Sequence, residues 1–95
     1  MNLKNNRGQL IKWFQGYGFI KYEGREVFVH RYAYLRGFSP EIGQIVAFDF
    51  ALAPDKTKPP MAVNVRVTKS AKIVAEEIEI KRGLEALLAT NQGGV

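Results

Sequence analysis

The chain has 95 residues and 46% apolar composition, enough for one domain with a modest core and too little for a second full one. The absence of cysteine removes disulfides, thiolate metal sites and a catalytic thiol, and fits a reducing compartment. The net charge of +5 is unevenly placed: residues 1–68 carry ten Lys and Arg against five Asp and Glu, residues 69–95 four against four, and all eleven aromatic residues lie between Trp13 and Phe50.

In chain order, residues 1–8 read as a polar, mobile end without the apolar core of a signal peptide, and no run is long enough to span a membrane. The expectation is a cytoplasmic protein. Leu10 to Phe14 reads as a first strand, with Lys12 interrupting its apolar run. Gln15-Gly16 turns the chain into Tyr17 to Tyr22, and Glu23-Gly24-Arg25 returns it as a third strand, Glu26 to His30. The period-2 rule places Tyr17, Phe19 and Lys21 on one face, with Phe28 and His30 beside them on the next strand. If these rings pointed inward, Ile20, Val27 and Val29 would have to face water, so the rings are assigned to the surface. The glycines flanking Tyr17 suggest bare backbone beside the rings, where bases could approach and stack. Tyr22, Phe48 and Phe50 are assigned to the core.

From Arg31 to Pro40 no period is visible, and Arg36-Gly37-Phe38-Ser39-Pro40 reads as a loop. A fourth strand covers Ile45 to Phe50. Residues 53–60, with Pro54, Pro59, Pro60, Lys56 and Lys58, form a stiff loop with a positive tip, followed by a fifth strand, Met61 to Thr68, with Val63, Val65 and Val67 in step on one face. Ser70 to about Thr90 changes to a helical pattern. Ile73, Ile80, Leu84 and Leu87 recur near a 3.6-residue repeat, Ile78 and Leu88 fall off that stripe, and Gly83 marks a kink or an early end. The resulting division is a mobile end (1–8), a barrel (9–68) and a helical extension (69–95). Five short antiparallel strands in so small a unit point to closure, which removes aggregation-prone edges.

Catalytic chemistry finds little to hold. His30 is the only histidine, the serines have no evident base and orienting acid near them, and Glu76 and Glu77 lie on the presumed helix as solvated charges. Gly16-Tyr17-Gly18 fails the dinucleotide fingerprint at Lys21, and no Walker lysine pattern occurs. The chain is read as a non-enzyme with no catalytic residues, cofactor or metal. The octet from Gln15 to Tyr22 partly meets the aromatic pattern of RNA-recognition motifs. Its partner strand follows after only a few residues, however, and a hairpin is the only connection that short.

This order of blocks resembles the cold-shock domain family. The likeness spans roughly Gly8 to Val67 and rests on Lys12-Trp13-Phe14, Gly16-Tyr17-Gly18-Phe19-Ile20, Val27-Phe28-Val29-His30, Gly43-Gln44-Ile45-Val46-Ala47-Phe48 and Pro60-Met61-Ala62-Val63-Asn64-Val65. It implies an all-β fold, a five-stranded antiparallel oligonucleotide-binding (OB-fold) barrel of cold-shock type, here with a C-terminal α-helix. It also implies binding of single-stranded RNA or DNA with little sequence demand, and RNA-chaperone activity. The binding residues it implies are Lys12, Trp13, Phe14, Tyr17, Phe19, Phe28, His30, Phe38 and Lys58; Lys21 and Arg31 join them from charge and placement. Three departures stand out: the segment between the first two strands is short and lacks a lysine before Gly16, Arg31 replaces an aromatic residue, and the loop at 51–60 is long. Because strict alternation opposes Trp13 to Lys12, a bulge or strong twist is needed for both to reach a ligand. The alternative reading is a homodimer or protein-partner module, with Ile73, Ile80, Leu84 and Leu87 as the interface.

Overall fold

The computed structural model describes residues 3–93, with side chains as far as Leu87. Five strands, β1 (Asn6–Trp13), β2 (Tyr17–Tyr22), β3 (Arg25–His30), β4 (Ile45–Ala51) and β5 (Met61–Lys69), close into a barrel in the order β1-β2-β3-β5-β4. A single 3-10 turn, Arg31–Ala33, follows β3, and one helix, α1 (Ala71–Gly93), follows β5.

The barrel is not wholly antiparallel. β1–β2, β1–β4, β2–β3 and β4–β5 are antiparallel, whereas β3 and β5 run parallel through Val29 and Ala62. Closure itself requires this correction: strand direction cannot alternate at every junction around a ring with an odd number of strands. The long excursion through residues 31–44 and β4 supplies the crossover that a parallel pair needs.

β1 also begins earlier than the hydrophobic pattern suggests. Asn6 to Gln9 pair with β4, and the Phe50 N–H donates to the Leu3 carbonyl at 2.8 Å, so the chain is tied to the barrel from Leu3 onward. Asn6-Arg7-Gly8-Gln9 holds no apolar side chain, so it carries no alternation signal.

Alternation works as expected in the central hairpin. Ile20, Val27 and Val29 turn inward, joining Leu10, Val46, Phe48 and Val65 in the buried core. Tyr22 packs edge-on against Phe48 and Phe50, at 5.6 and 5.5 Å, while its hydroxyl donates to Asn6 Oδ1 at 2.9 Å. The β2–β3 turn uses Glu23 and Gly24 with φ of 47° and 77°, the left-handed pair that matches the twist of a two-residue hairpin.

In β5 the expected face is broken. Asn64 adopts φ 51° where the pairing with β4 shifts register, so Ala62 and Val65 are both buried, while Val63 is turned away from Val65. Asn64 Nδ2 donates to Asp49 Oδ2 at 3.1 Å, and the Asn5 N–H donates to Asp49 Oδ1 at 2.9 Å. One carboxylate thus ties the chain start to both β4 and β5. The backbone donor from Asn5, then the Asn64 amide and the nearby Arg66 and Lys4 charges, hold the Asp49 carboxyl below its usual range.

α1 runs through Gly83 without ending there. Val74 is half-buried near the helix start, and from Ala75 to Leu87 every residue is exposed. The molecule accordingly measures 61 × 28 × 22 Å, much longer than a barrel of this size alone.

Candidate nucleic-acid interface

The hairpin β2–β3 carries the ring face. Directly paired residues point to the same side, so Phe19 opposite Phe28 and Tyr17 opposite His30 share the outer surface. Tyr17 stacks on Phe28 with centroids 5.8 Å apart and planes at 26°, Phe14 extends the row at 5.3 Å from Tyr17, and Phe19 meets Phe28 edge-on at 5.9 Å. Tyr17 and Phe14 are exposed, and Phe19 and Phe28 half-buried, so the rings support one another and stay open to solvent in part. The cluster is held in place from behind by Ile20, Val27 and Val29 rather than by its own contacts alone.

A bulge in β1 decides the places of Lys12 and Trp13. Leu10 pairs with Ile20 and Lys12 with Phe19, leaving Ile11 as the extra residue. The slip carries Lys12 to the outer face, where its Nζ lies 6.0 Å from the Phe19 ring centre, and turns Trp13 toward the opposite side, against Gly18. Trp13 there meets Tyr34 edge-on at 6.1 Å and packs on the edge of the core. Gly18 is therefore not bare backbone for a ligand: it is buried, and a Cβ on it would collide with the Lys12 carbonyl oxygen and Trp13 Cε3.

Trp13 instead lines a groove with Gly16, Arg31, Tyr34, Arg36 and Phe38. The loop forming the far wall is fixed by Gln44, a buried side chain whose Nε2 donates to the Ser39 carbonyl at 3.1 Å and whose Oε1 accepts from the Tyr34 hydroxyl. Burial pushes the Tyr34 hydroxyl pKa far up, so it stays a neutral donor. The site thus has two parts: Phe14, Tyr17, Phe19, Phe28, Lys12 and Lys21 on the ring face, and Trp13, Arg31 and Phe38 around the groove.

His30 and Tyr32 join these parts. The His30 Nδ1 accepts from the Tyr32 N–H at 3.2 Å, capping the 3-10 turn, and the two rings lie 5.0 Å apart. Tyr32 is 83% exposed, with the Arg31 guanidinium 5.5 Å from its ring centre. Sequence reasoning missed Tyr32, although it lies two residues beyond His30 and would continue the same alternation. It also missed Arg36, because loop residues carry no period, and Glu26, whose alternation with Phe28 and His30 was visible.

Glu26 alters the electrostatics. Its carboxylate takes the Lys12 ammonium at 2.7 Å and stands opposite Lys21 in the β2–β3 register. The hydrogen bond from Lys12, reinforced by the charges of Lys12 and Lys21, holds the Glu26 carboxyl below its usual range. Both ring-face lysines therefore share an anion before any ligand arrives. Lys58 is not brought into either part: it sits in the loop at 52–60, where its N–H donates to the Asp55 carbonyl at 3.1 Å. Pro59 and Pro60 of that loop border a separate cleft with Tyr22, Arg25 and Val27.

Among the described residues no group of His, Cys, Asp and Glu could hold a metal ion, and no helix is long and apolar enough to cross a membrane. No protein-family model matches the chain, and no curated protein matches it.

Proposed function

We propose that this protein binds single-stranded nucleic acid, RNA or DNA, with the outer face of β2–β3 as a stacking platform. The observation that carries the reading is the contiguous row Phe14, Tyr17, Phe28 and Phe19 standing on the surface of a barrel whose core is complete without it. Apolar rings gathered outside a closed core lower solubility unless something covers them, and flat bases are the ligand that such rings fit regardless of sequence. Lys12, Lys21 and Arg31 border the row and supply phosphate contacts. The strand order supports assigning the barrel to the OB type, and the family blocks on it support a cold-shock-like module. Stacking worth about 1–3 kcal/mol per base over several rings is sufficient for micromolar binding once ordering costs are met.

Trp13 is the only tryptophan and lines the adjoining groove, so its fluorescence reports the site. Titration with oligo-dT or oligo-U at low salt should quench it, with recovery as salt is raised and counterions compete for the phosphates. Absence of both quenching and a change in the anisotropy of a labelled oligonucleotide at micromolar protein would remove the proposal.

A further inference from the structure

We propose that α1 is a self-association element that pairs in parallel with α1 of a second copy of this chain. The helix cannot be accounted for by its own barrel. Every side chain from Ala75 to Leu87 is exposed, including Ile78, Ile80, Leu84 and Leu87 at 46–65%, and Ile73 at the helix start is also 46% exposed. A helix with Gly83 in its middle and no covered face from Ala75 to Leu87 gains little from propensity alone, since helices in proteins are stabilised chiefly by packing one face.

The exposed residues form a seam. Ile73, Ile80 and Leu87 recur every seven residues, and Glu77 and Leu84 fall between them at the intervening positions of the same heptad. Ile78 lies off it. Glu76 and Lys81 flank the seam at the spacing that, in a parallel pair, sets Glu76 of one chain against Lys81 of the other, twice over. Glu77, the polar residue within the seam, is drawn sideways by Lys69 of its own chain, with Lys69 Nζ 3.1 Å from its carboxylate. That contact offsets the repulsion that two Glu77 carboxylates would otherwise bring to the pair.

Charge also argues for this occupant. α1 carries Lys72, Lys81 and Arg82 against Glu76, Glu77, Glu79 and Glu85, so the helix offers no attraction to a polyanion. Glu76, Glu77 and Glu79 in its first half oppose binding to an anionic lipid surface. A partner with the same pattern satisfies both the seam and its flanks.

Sedimentation equilibrium of the full chain from micromolar to near-millimolar concentration should show a mass approaching twice the 10.7 kDa chain, with helical ellipticity rising as pairs form. Ile80→Glu should return the monomer mass, and Ile78→Glu, also exposed but off the seam, should leave the pair intact. Glu76→Lys should weaken pairing at least several-fold, and adding Lys81→Glu should restore it. As the chain lacks cysteine, Ile73→Cys should oxidise to a covalent dimer, which only parallel pairing allows. A monomer at every concentration overturns the inference, as does equal loss from Ile78→Glu and Ile80→Glu. So does a fall in the barrel's melting temperature on Ile80→Glu at a concentration where the unmodified chain is a monomer, which would mean that the helix folds back on its own barrel. None of these readouts involves nucleic acid, so the binding proposal stands or falls separately.

Discussion

The ring face of β2–β3 and the helix α1 both expose apolar side chains, and they do so on opposite terms. Tyr17, Phe19 and Phe28 stand on strands whose inner residues, Ile20, Val27 and Val29, are locked in the core, so their positions are set before any ligand binds. Ile80, Leu84 and Leu87 stand on a helix with nothing behind them. A fixed apolar surface suits a ligand that must be met by a preorganised platform, because little ordering entropy is then lost on binding. An unsupported helix suits a partner that brings the missing half of its packing. The contrast shows that exposure alone says little until the support beneath it is known.

The contrast breaks most completely if the support is removed. Phe48→Ala should destabilise the barrel by about 3–5 kcal/mol, as expected for a large side chain lost from a packed core, and should abolish oligonucleotide binding along with folding. Chemical denaturation followed by Trp13 fluorescence measures this. Removing the platform but keeping its support is the next largest effect: Tyr17→Ala and Phe28→Ala should each cost about 1–3 kcal/mol of binding, with the thermal midpoint nearly unchanged. Equal losses of stability and affinity would mean that the rings are part of the core.

Acid should act on the barrel side of the comparison. The Asp49 carboxyl has its pKa lowered by the Asn5 and Asn64 hydrogen bonds, so the folded state holds fewer protons than the unfolded one in the acid range. Its contribution is complete above the unfolded carboxyl pKa of about 3.9 and is lost as pH falls through the lower folded value. Asp49→Asn should flatten the acid limb of a stability profile measured by denaturant unfolding.

Glu26→Gln should sharpen the ring face by releasing Lys12 and Lys21 from a competing anion. Tighter oligonucleotide binding at low salt, and a steeper salt dependence, are the expected outcomes of an affinity titration. The smallest effect belongs to the helix: Leu84→Ala should change barrel stability by no more than about 0.5 kcal/mol in thermal unfolding followed by Trp13, because Leu84 touches no core.

The central hairpin was legible in the residues because alternation is a local property. Tyr17, Phe19 and Phe28 had to face outward once Ile20, Val27 and Val29 faced inward, and Glu23-Gly24 could form the tight turn that joins them. The helical repeat of Ile73, Ile80, Leu84 and Leu87 was legible for the same reason. The division of Lys12 and Trp13 between two faces was not, since a bulge at Ile11 exists only relative to the register of β2. Asn64 separates Val63 from Val65 in the same way, through its pairing with β4.

Tertiary structure alone decided the parallel junction of β3 with β5, the pairing of Lys12 with Glu26, and the groove in which Trp13, Arg31 and Phe38 converge. It also decided that no barrel surface covers α1 from Ala75 to Leu87. Each depends on which distant segments closure of the ring brings side by side. Periodicity determines which way a residue points along its own strand; only the closed barrel determines what it meets there.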